Sequence, residues 1–123
     1  MLIALLTLML LGGDSYDLRE FIAEGQSNMA AAVEDPQRRQ TGLSILAEME
    51  QAMAAGRSDT TALIERTQAD FTERKVWSAE ELDMLFAEAR ALRAERAQRF
   101  IELRLKLSES LKDSEWAAAF PES

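Results

Sequence analysis

Apolar residues near the start of the chain recur at steps of three and four, the spacing that places side chains on one face of an α-helix. The first such stripe predicts a helix over about 16–34, with Asp14 or Ser15 as its cap. Asp35-Pro36 ends this helix, because proline disfavours helix at the residue before it, and the same pair suits the start of the next. The stripe consists of Leu18, Phe21, Ile22, Gly25, Met29 and Val33.

Two more short helices are predicted, over about 36–55 and about 59–75. Gly56 lies between them and is expected to stop the first, because glycine readily adopts the left-handed conformation that commonly ends a helix. Ser58 or Asp59 can cap the second. The residues expected to face inward are Leu43, Ile45, Leu46, Met49 and Met53, followed by Leu63, Ile64, Thr67 and Phe71.

A capping box opens the last long helix. In Ser78-Ala79-Glu80-Glu81 the Ser78 hydroxyl can accept from the Glu81 amide while the Glu81 side chain reaches back. The helix is predicted over about 79–112, which is about 34 residues and about 50 Å. Its stripe has a mean step of about 3.6 residues, typical of an ordinary helix face rather than a coiled-coil seam. The stripe consists of Leu82, Leu85, Ala89, Leu92, Arg96, Phe100, Leu103, Leu107 and Leu111.

The pattern predicts an all-α protein in which residues 14–123 form one helical domain. Three shorter helices are expected to pack on one long C-terminal helix as an antiparallel hairpin or bundle, because the connections are short. A final short turn over 115–120 ends at Pro121. Composition agrees: helix-forming residues dominate, and the chain has only two prolines and five glycines.

Residues 1–13 differ from the rest, because 1–11 read MLIALLTLMLL and two glycines follow. A membrane-spanning helix needs about 20 apolar residues, so this run fits the apolar part of a signal peptide better. No lysine or arginine precedes it, and a small-x-small cleavage site is missing. An export signal, a short membrane anchor and a buried N-terminal helix of a soluble bundle remain open. The first two place the protein in the cell envelope, in the periplasm or at the inner membrane with its body outside the cytoplasm.

Composition also excludes several kinds of chemistry. The net charge of −8 argues against nucleic acid as a partner. The chain has no cysteine and no histidine, so it lacks thiolate ligands, the usual general base and the commonest metal ligand. We therefore expect no enzyme activity, no cofactor, no metal site and no small-molecule substrate. Two features could still carry chemistry. Carboxylates cluster at Glu48/Glu50 and at Glu80/Glu81/Asp83, where the alternative is a solvated helix face. The thioethers of Met29, Met49 and Met53 could bind Cu(I), but methionines at helical spacing more often fill a core.

The candidate partner-binding residues are five arginines of the long helix and two tryptophans that flank it. They are Arg90, Arg93, Arg96, Arg99 and Arg104, together with the tryptophans Trp77 and Trp116. The cationic stretch could dock an acidic partner protein or lipid headgroups. The tryptophans could anchor at a membrane interface or at a protein-binding hot spot. The alternatives are that the arginines pair within the chain and that the tryptophans seal the ends of the core. The suggested intramolecular partners of the arginines are Asp17, Glu20, Glu24 and Glu34, and a partner among Glu34 and Asp35 is expected for Arg38-Arg39.

The C-terminal part resembles small bacterial envelope proteins of the Spy/CpxP and heavy-metal-resistance kind. The resemblance is compositional and rests on the Ser78-Ala79-Glu80-Glu81 start, the Arg/Glu/Leu-rich stretch 93–107 and the end at 111–116. It implies an exported or anchored helical protein and, loosely, chaperone activity. The Leu-Thr-x-x-Gln motif of that family is absent, and its metal-binding members use histidine, which this chain lacks.

Together these observations favour a non-catalytic, membrane-tethered or periplasmic helical protein that acts as a scaffold or adaptor through protein contacts, with a protein partner or a homodimer. A chaperone-like or stress-sensing binder and a soluble helical bundle are the alternatives.

Overall fold

The computed structural model describes residues 14–73 and 77–121. In this part of the chain the protein forms four helices and no strand, so the all-α prediction is confirmed. The helices are α1 (Asp14–Ala32), α2 (Pro36–Glu73), α3 (Ala79–Ser110) and α4 (Asp113–Ala119). Among the described helices, none combines the length and the apolar character needed to cross a membrane. The predictions for residues 1–13 lie outside the described residues.

The frame of the molecule is an antiparallel hairpin of α2 and α3. Contacts between the two run in opposite directions, since Arg66 meets Glu88 near one end and Glu48 meets Arg99 near the other. Helix α1 packs antiparallel on the first half of α2, and the short α4 packs on α1. The result is a four-helix end and a two-helix end.

The predicted break at Gly56 is wrong, because α2 continues through it as one helix of 38 residues. The three helices predicted before α3 are therefore two, and the second of them, α2, is longer than α3 with its 32 residues. A glycine inside a helix costs only about 1 kcal/mol relative to alanine. Met53 and Thr60, buried on either side of Gly56, keep this stretch of α2 packed on the rest of the molecule, and that packing outweighs the local preference.

The predicted helix starts are confirmed at two places. The Glu81 amide donates to Ser78 Oγ at 3.1 Å, and the Ser78 amide donates to Glu81 Oε1 at 3.3 Å, which completes the capping box of α3. At the start of α2 the Arg38 amide donates to Asp35 Oδ2 at 2.9 Å, so Asp35 caps this helix as predicted. Both helices therefore begin where their local sequence satisfies the first amide groups.

Two clusters of buried side chains form the core, and the predicted stripes supply nearly all of their members. The larger cluster lies at the four-helix end and the smaller one between the two arms of the hairpin. Phe71 is the exception among the predicted inward residues, with 49% of its surface exposed. The larger cluster consists of Ile22, Met29, Val33, Ile45, Leu46, Met49, Met53, Leu103, Leu107, Leu111, Ala119 and Phe120, and the smaller one of Leu63, Leu85 and Ala89.

Candidate protein-contact surface

Helix α3 carries the five arginines predicted to bind a partner. With 3.6 residues per turn, the spacing of these arginines winds around the helix axis instead of following one line. The structure accordingly distributes them over different sides of α3 and does not gather them into one cationic patch.

Arg99 lies on the flank of α3 that borders α2. Its Nη2 is 3.9 Å from Glu48 Oε2, and Lys106 Nζ is 3.7 Å from the same oxygen. All three side chains are substantially exposed, so these ion pairs contribute little to stability. The intramolecular pairing weighed for the cationic helix is thus present, with Glu48 of α2 as the partner in both pairs.

The side chain of Arg96 crosses α2 at Gly56, in the interior of that helix. A Cβ on Gly56 would lie 2.8 Å from Arg96 Cδ, so the flexible arginine stem runs directly over this glycine. The stem is half-buried, as expected for an arginine that lies near an apolar stripe. A groove of about 260 Å³ borders this crossing and is lined by both residues together with Leu92 and Thr60.

Arg104 faces the opposite flank, where α1 and α4 meet. Its guanidinium carbon lies 5.1 Å from the centre of the Phe21 ring and 5.5 Å from the centre of the Trp116 ring. Phe21 and Phe120 stack at 4.3 Å, and Trp116 lies against both rings. Trp116 therefore seals this end of the core, which is the alternative weighed for it, and Arg104 covers the seal through cation–π contacts.

Trp77, Arg90 and Arg93 lie towards the two-helix end. Trp77 is half-buried and packs against the smaller core cluster. Arg90 and Arg93 are exposed on α3. The structure thus brings Arg104 and Trp116 together and leaves the other predicted partner-binding residues dispersed along the hairpin.

An ion pair that the sequence interpretation missed, between a buried carboxylate and a partly exposed guanidinium, holds α4 in place. Arg38 Nε donates to Glu115 Oε1 at 3.1 Å and Arg38 Nη2 donates to Glu115 Oε2 at 3.1 Å, while Asp35 lies 3.7 Å from the same guanidinium. The predicted Arg38–Asp35 pair is present, but Glu115 is the closer partner. Hydrogen bonds from Arg38, and then from the Lys112 amide at 2.8 Å, hold the pKa of the Glu115 carboxyl below its usual range, against the effect of burial.

The carboxylates Glu48 and Glu50 and the three methionines, considered above as reactive groups, take part in contacts within the fold. Glu50 accepts a hydrogen bond of 2.6 Å from Gln26, and Glu48 faces the cations of α3. Met29, Met49 and Met53 are buried in the larger core cluster. Within residues 14–73 and 77–121, no three histidine, cysteine, aspartate or glutamate side chains are grouped so that they could hold a metal ion.

The surface feature that the sequence interpretation overlooked is apolar. Met84, Ile101 and Leu105 are 68%, 62% and 58% exposed, and all three belong to α3. The buried stripe dominates the pattern of α3, because it holds most of the leucines of this helix. The signal was available, because the three residues share one side of the helix.

Comparison of the chain with models of protein families, with curated proteins and with solved structures finds no match.

Proposed function

We propose that this protein is a non-catalytic helical module that acts through protein–protein contacts and that residues 1–13 direct it to, or hold it at, a membrane. The observation that carries the contact function is the apolar side of α3, where Met84, Ile101 and Leu105 are mostly exposed. Soluble proteins that expose several large apolar side chains on one surface commonly use that surface for binding.

The surroundings of the polar groups support a binding role. Glu115 is committed to Arg38 and to the start of α4, and Glu81 to the start of α3. Arg104 lies on the aromatic cluster. Glu115, Glu81 and Arg104 thus each take part in a contact that stabilises the fold.

The membrane part of the proposal rests on the sequence of residues 1–13, with eleven residues that include no charge. Fractionation of cells that express the full chain, with measurement of the intact mass, tests it. We expect the protein in the membrane or exported fraction, either whole or shortened near residue 13. Recovery of the whole chain from the cytosol would contradict this part and favour the soluble bundle.

The contact part is tested by site-directed photocrosslinking in the cells that produce the protein. A photoreactive residue in place of Ile101 should give a discrete crosslinked band, because that position is exposed on the apolar side of α3. The matched control places the same group at Ser44, an exposed position on α2. Equal crosslinking at both positions, or none at Ile101, would contradict the proposal.

A chaperone-like binder is distinguished by its client. Such a protein should suppress aggregation of unrelated unfolded proteins, whereas an adaptor should not. If suppression of aggregation persists when both Ile101 and Leu105 are replaced by glutamate, the apolar side of α3 is not the surface that binds the client.

A further inference from the structure

Helix α3 has a second apolar line, on the side opposite to the core. Starting from Met84, its positions are separated by alternating steps of three and four, which is the heptad pattern of a two-stranded coiled coil. Every side chain on this line is exposed. The line, called here the outer seam, consists of Met84, Ala87, Ala91, Ala94, Gln98, Ile101 and Leu105.

The outer seam and the buried stripe can be occupied at the same time. Leu103 and Leu105 are two positions apart, which turns them by about 200° around the helix. Leu103 is 1% exposed and Leu105 is 58% exposed. A helix that docks on the outer seam would therefore leave the contact between α2 and α3 untouched, and the hairpins would lie on the outside of the assembly.

Charged residues flank the outer seam in an ordered way. When Met84 is placed at position a of the heptad, the flanking position e is glutamate in four successive heptads. The other flanking position, g, is aspartate, arginine, alanine and arginine in turn. Position e is occupied by Glu88, Glu95, Glu102 and Glu109, and position g by Asp83, Arg90, Ala97 and Arg104. In coiled coils these positions set the choice and the orientation of the partner.

We propose that the occupant of the outer seam is α3 of a second copy of this chain, parallel and in register; this deepens the proposed function, on which it rests, by naming the partner. In that arrangement Arg90 faces the partner's Glu95, and Arg104 faces the partner's Glu109, on both sides of the two-fold axis. Glu88, which would face the partner's Asp83, is already paired with Arg66 within its own chain. An antiparallel pair would instead set the glutamates of position e against one another.

The residues at the centre of the outer seam fit this geometry. Ala87, Ala91 and Ala94 allow two helices to approach closely because they have small side chains. Gln98 occupies position a, where a polar residue specifies register and the number of strands at some cost in stability. In the single chain Gln98 Nε2 donates to Glu102 Oε1 at 3.3 Å, an exposed contact that leaves the amide able to turn towards the partner's Gln98.

The first test replaces both Ile101 and Leu105 by glutamate in the full chain. We expect sedimentation to change from dimer to monomer, with a dissociation constant raised by more than about tenfold, because charges would enter the centre of the contact. Helicity should stay the same, since both positions are exposed in the single chain. The matched control is Phe71→Glu, an exposed apolar residue on α2, which should leave the dimer intact.

The second test reverses charges. Arg90→Glu alone and Glu95→Arg alone should each weaken self-association by about three- to tenfold, because each sets like charges against each other in the parallel pair. The double variant should restore it. Failure of the double variant to recover, with weakening by both single variants, would overturn the parallel register.

The third test uses the absence of cysteine from the chain. Ala87→Cys and Ser108→Cys, both at position d, should each form a homodisulfide under mild oxidation if the helices are parallel and in register. An antiparallel pair would place each of these positions far from its own copy, at the opposite end of the seam, so neither variant would form a homodisulfide. Ser44→Cys on α2 is the control and should form no disulfide-linked dimer.

These results separate the two proposals. A wild-type chain that stays monomeric up to about 0.1 mM overturns the homodimer, whether or not a different protein crosslinks at Ile101. A dimer that behaves as expected but is recovered from the cytosol, with no other crosslinked partner, contradicts the membrane-directed adaptor and leaves the outer seam as its dimer contact.

Discussion

Arg38 and Glu115, 77 residues apart in the chain, are joined by two hydrogen bonds of 3.1 Å, one to each carboxylate oxygen. The pair connects the first turn of α2 to the first turn of α4. Because the same carboxylate also accepts from the Lys112 amide, it both starts α4 and fixes that helix to the bundle. The aromatic cluster of α4 is thereby kept against α1.

The pH dependence of stability should reflect this pair. The pKa of Glu115 is lower in the folded chain than in the unfolded one, where a glutamate carboxyl has a pKa of about 4.3. The stabilising effect is therefore complete above the unfolded value and is lost as pH falls through the folded value. We expect Glu115→Gln to destabilise the protein at neutral pH and to reduce the acid dependence of its urea midpoint. Glu65→Gln, at an exposed position of α2, is the control, and equal curves for the two variants would contradict the argument.

Two glycines in helix interiors should respond oppositely to alanine. A Cβ on Gly25 would lie 2.6 Å from the buried Phe120 ring and 2.9 Å from Leu46, so Gly25→Ala should destabilise by about 1–2 kcal/mol despite its better helix propensity. Gly56→Ala meets only the flexible stem of Arg96 and should be neutral or stabilising by up to about 1 kcal/mol. Urea unfolding of the two variants measures both, and a stabilising Gly25→Ala would refute the close approach of Phe120.

The two sides of α3 should differ sharply in their tolerance of charge. Leu103→Asp and Leu107→Asp place a carboxylate in the core and should cost more than about 4 kcal/mol, enough to unfold a small domain. Leu105→Asp should change the stability of the single chain by less than about 0.5 kcal/mol. Circular dichroism in dilute solution, where association does not contribute, makes the comparison. Retained helicity in both core variants would disprove the assigned core.

The capping box of α3 should be measurable as a local effect. Ser78→Ala removes the acceptor for the Glu81 amide and should cost about 1 kcal/mol. Ser44→Ala, in the interior of α2 and exposed, should be neutral or slightly stabilising, because alanine is the better helix former. The unfolding free energies of the two variants provide the check, and an equal loss in both would count against the box.

Local features were predictable from the sequence. The capping box at Ser78 and the Asp35 cap depend on residues three positions apart, and the stripes of α1 and α3 depend on steps of three and four. Such signals act within one or two helical turns, so the chain carries them wherever it folds. The sequence alone therefore determined the all-α class, the start of α3 and most of the core.

Tertiary structure decided the remainder. Local preference favoured a stop at Gly56, but packing against α3 carries α2 through it. The Arg38–Glu115 pair joins residues that only the folding of four helices brings together. Helix α3 has two apolar lines, and the one with more leucines was correctly predicted to be buried. Tertiary structure decided what becomes of the other line, because the packing of α2 against Leu103 and Leu107 leaves the opposite side, with Ile101 and Leu105, in contact with solvent or with another molecule.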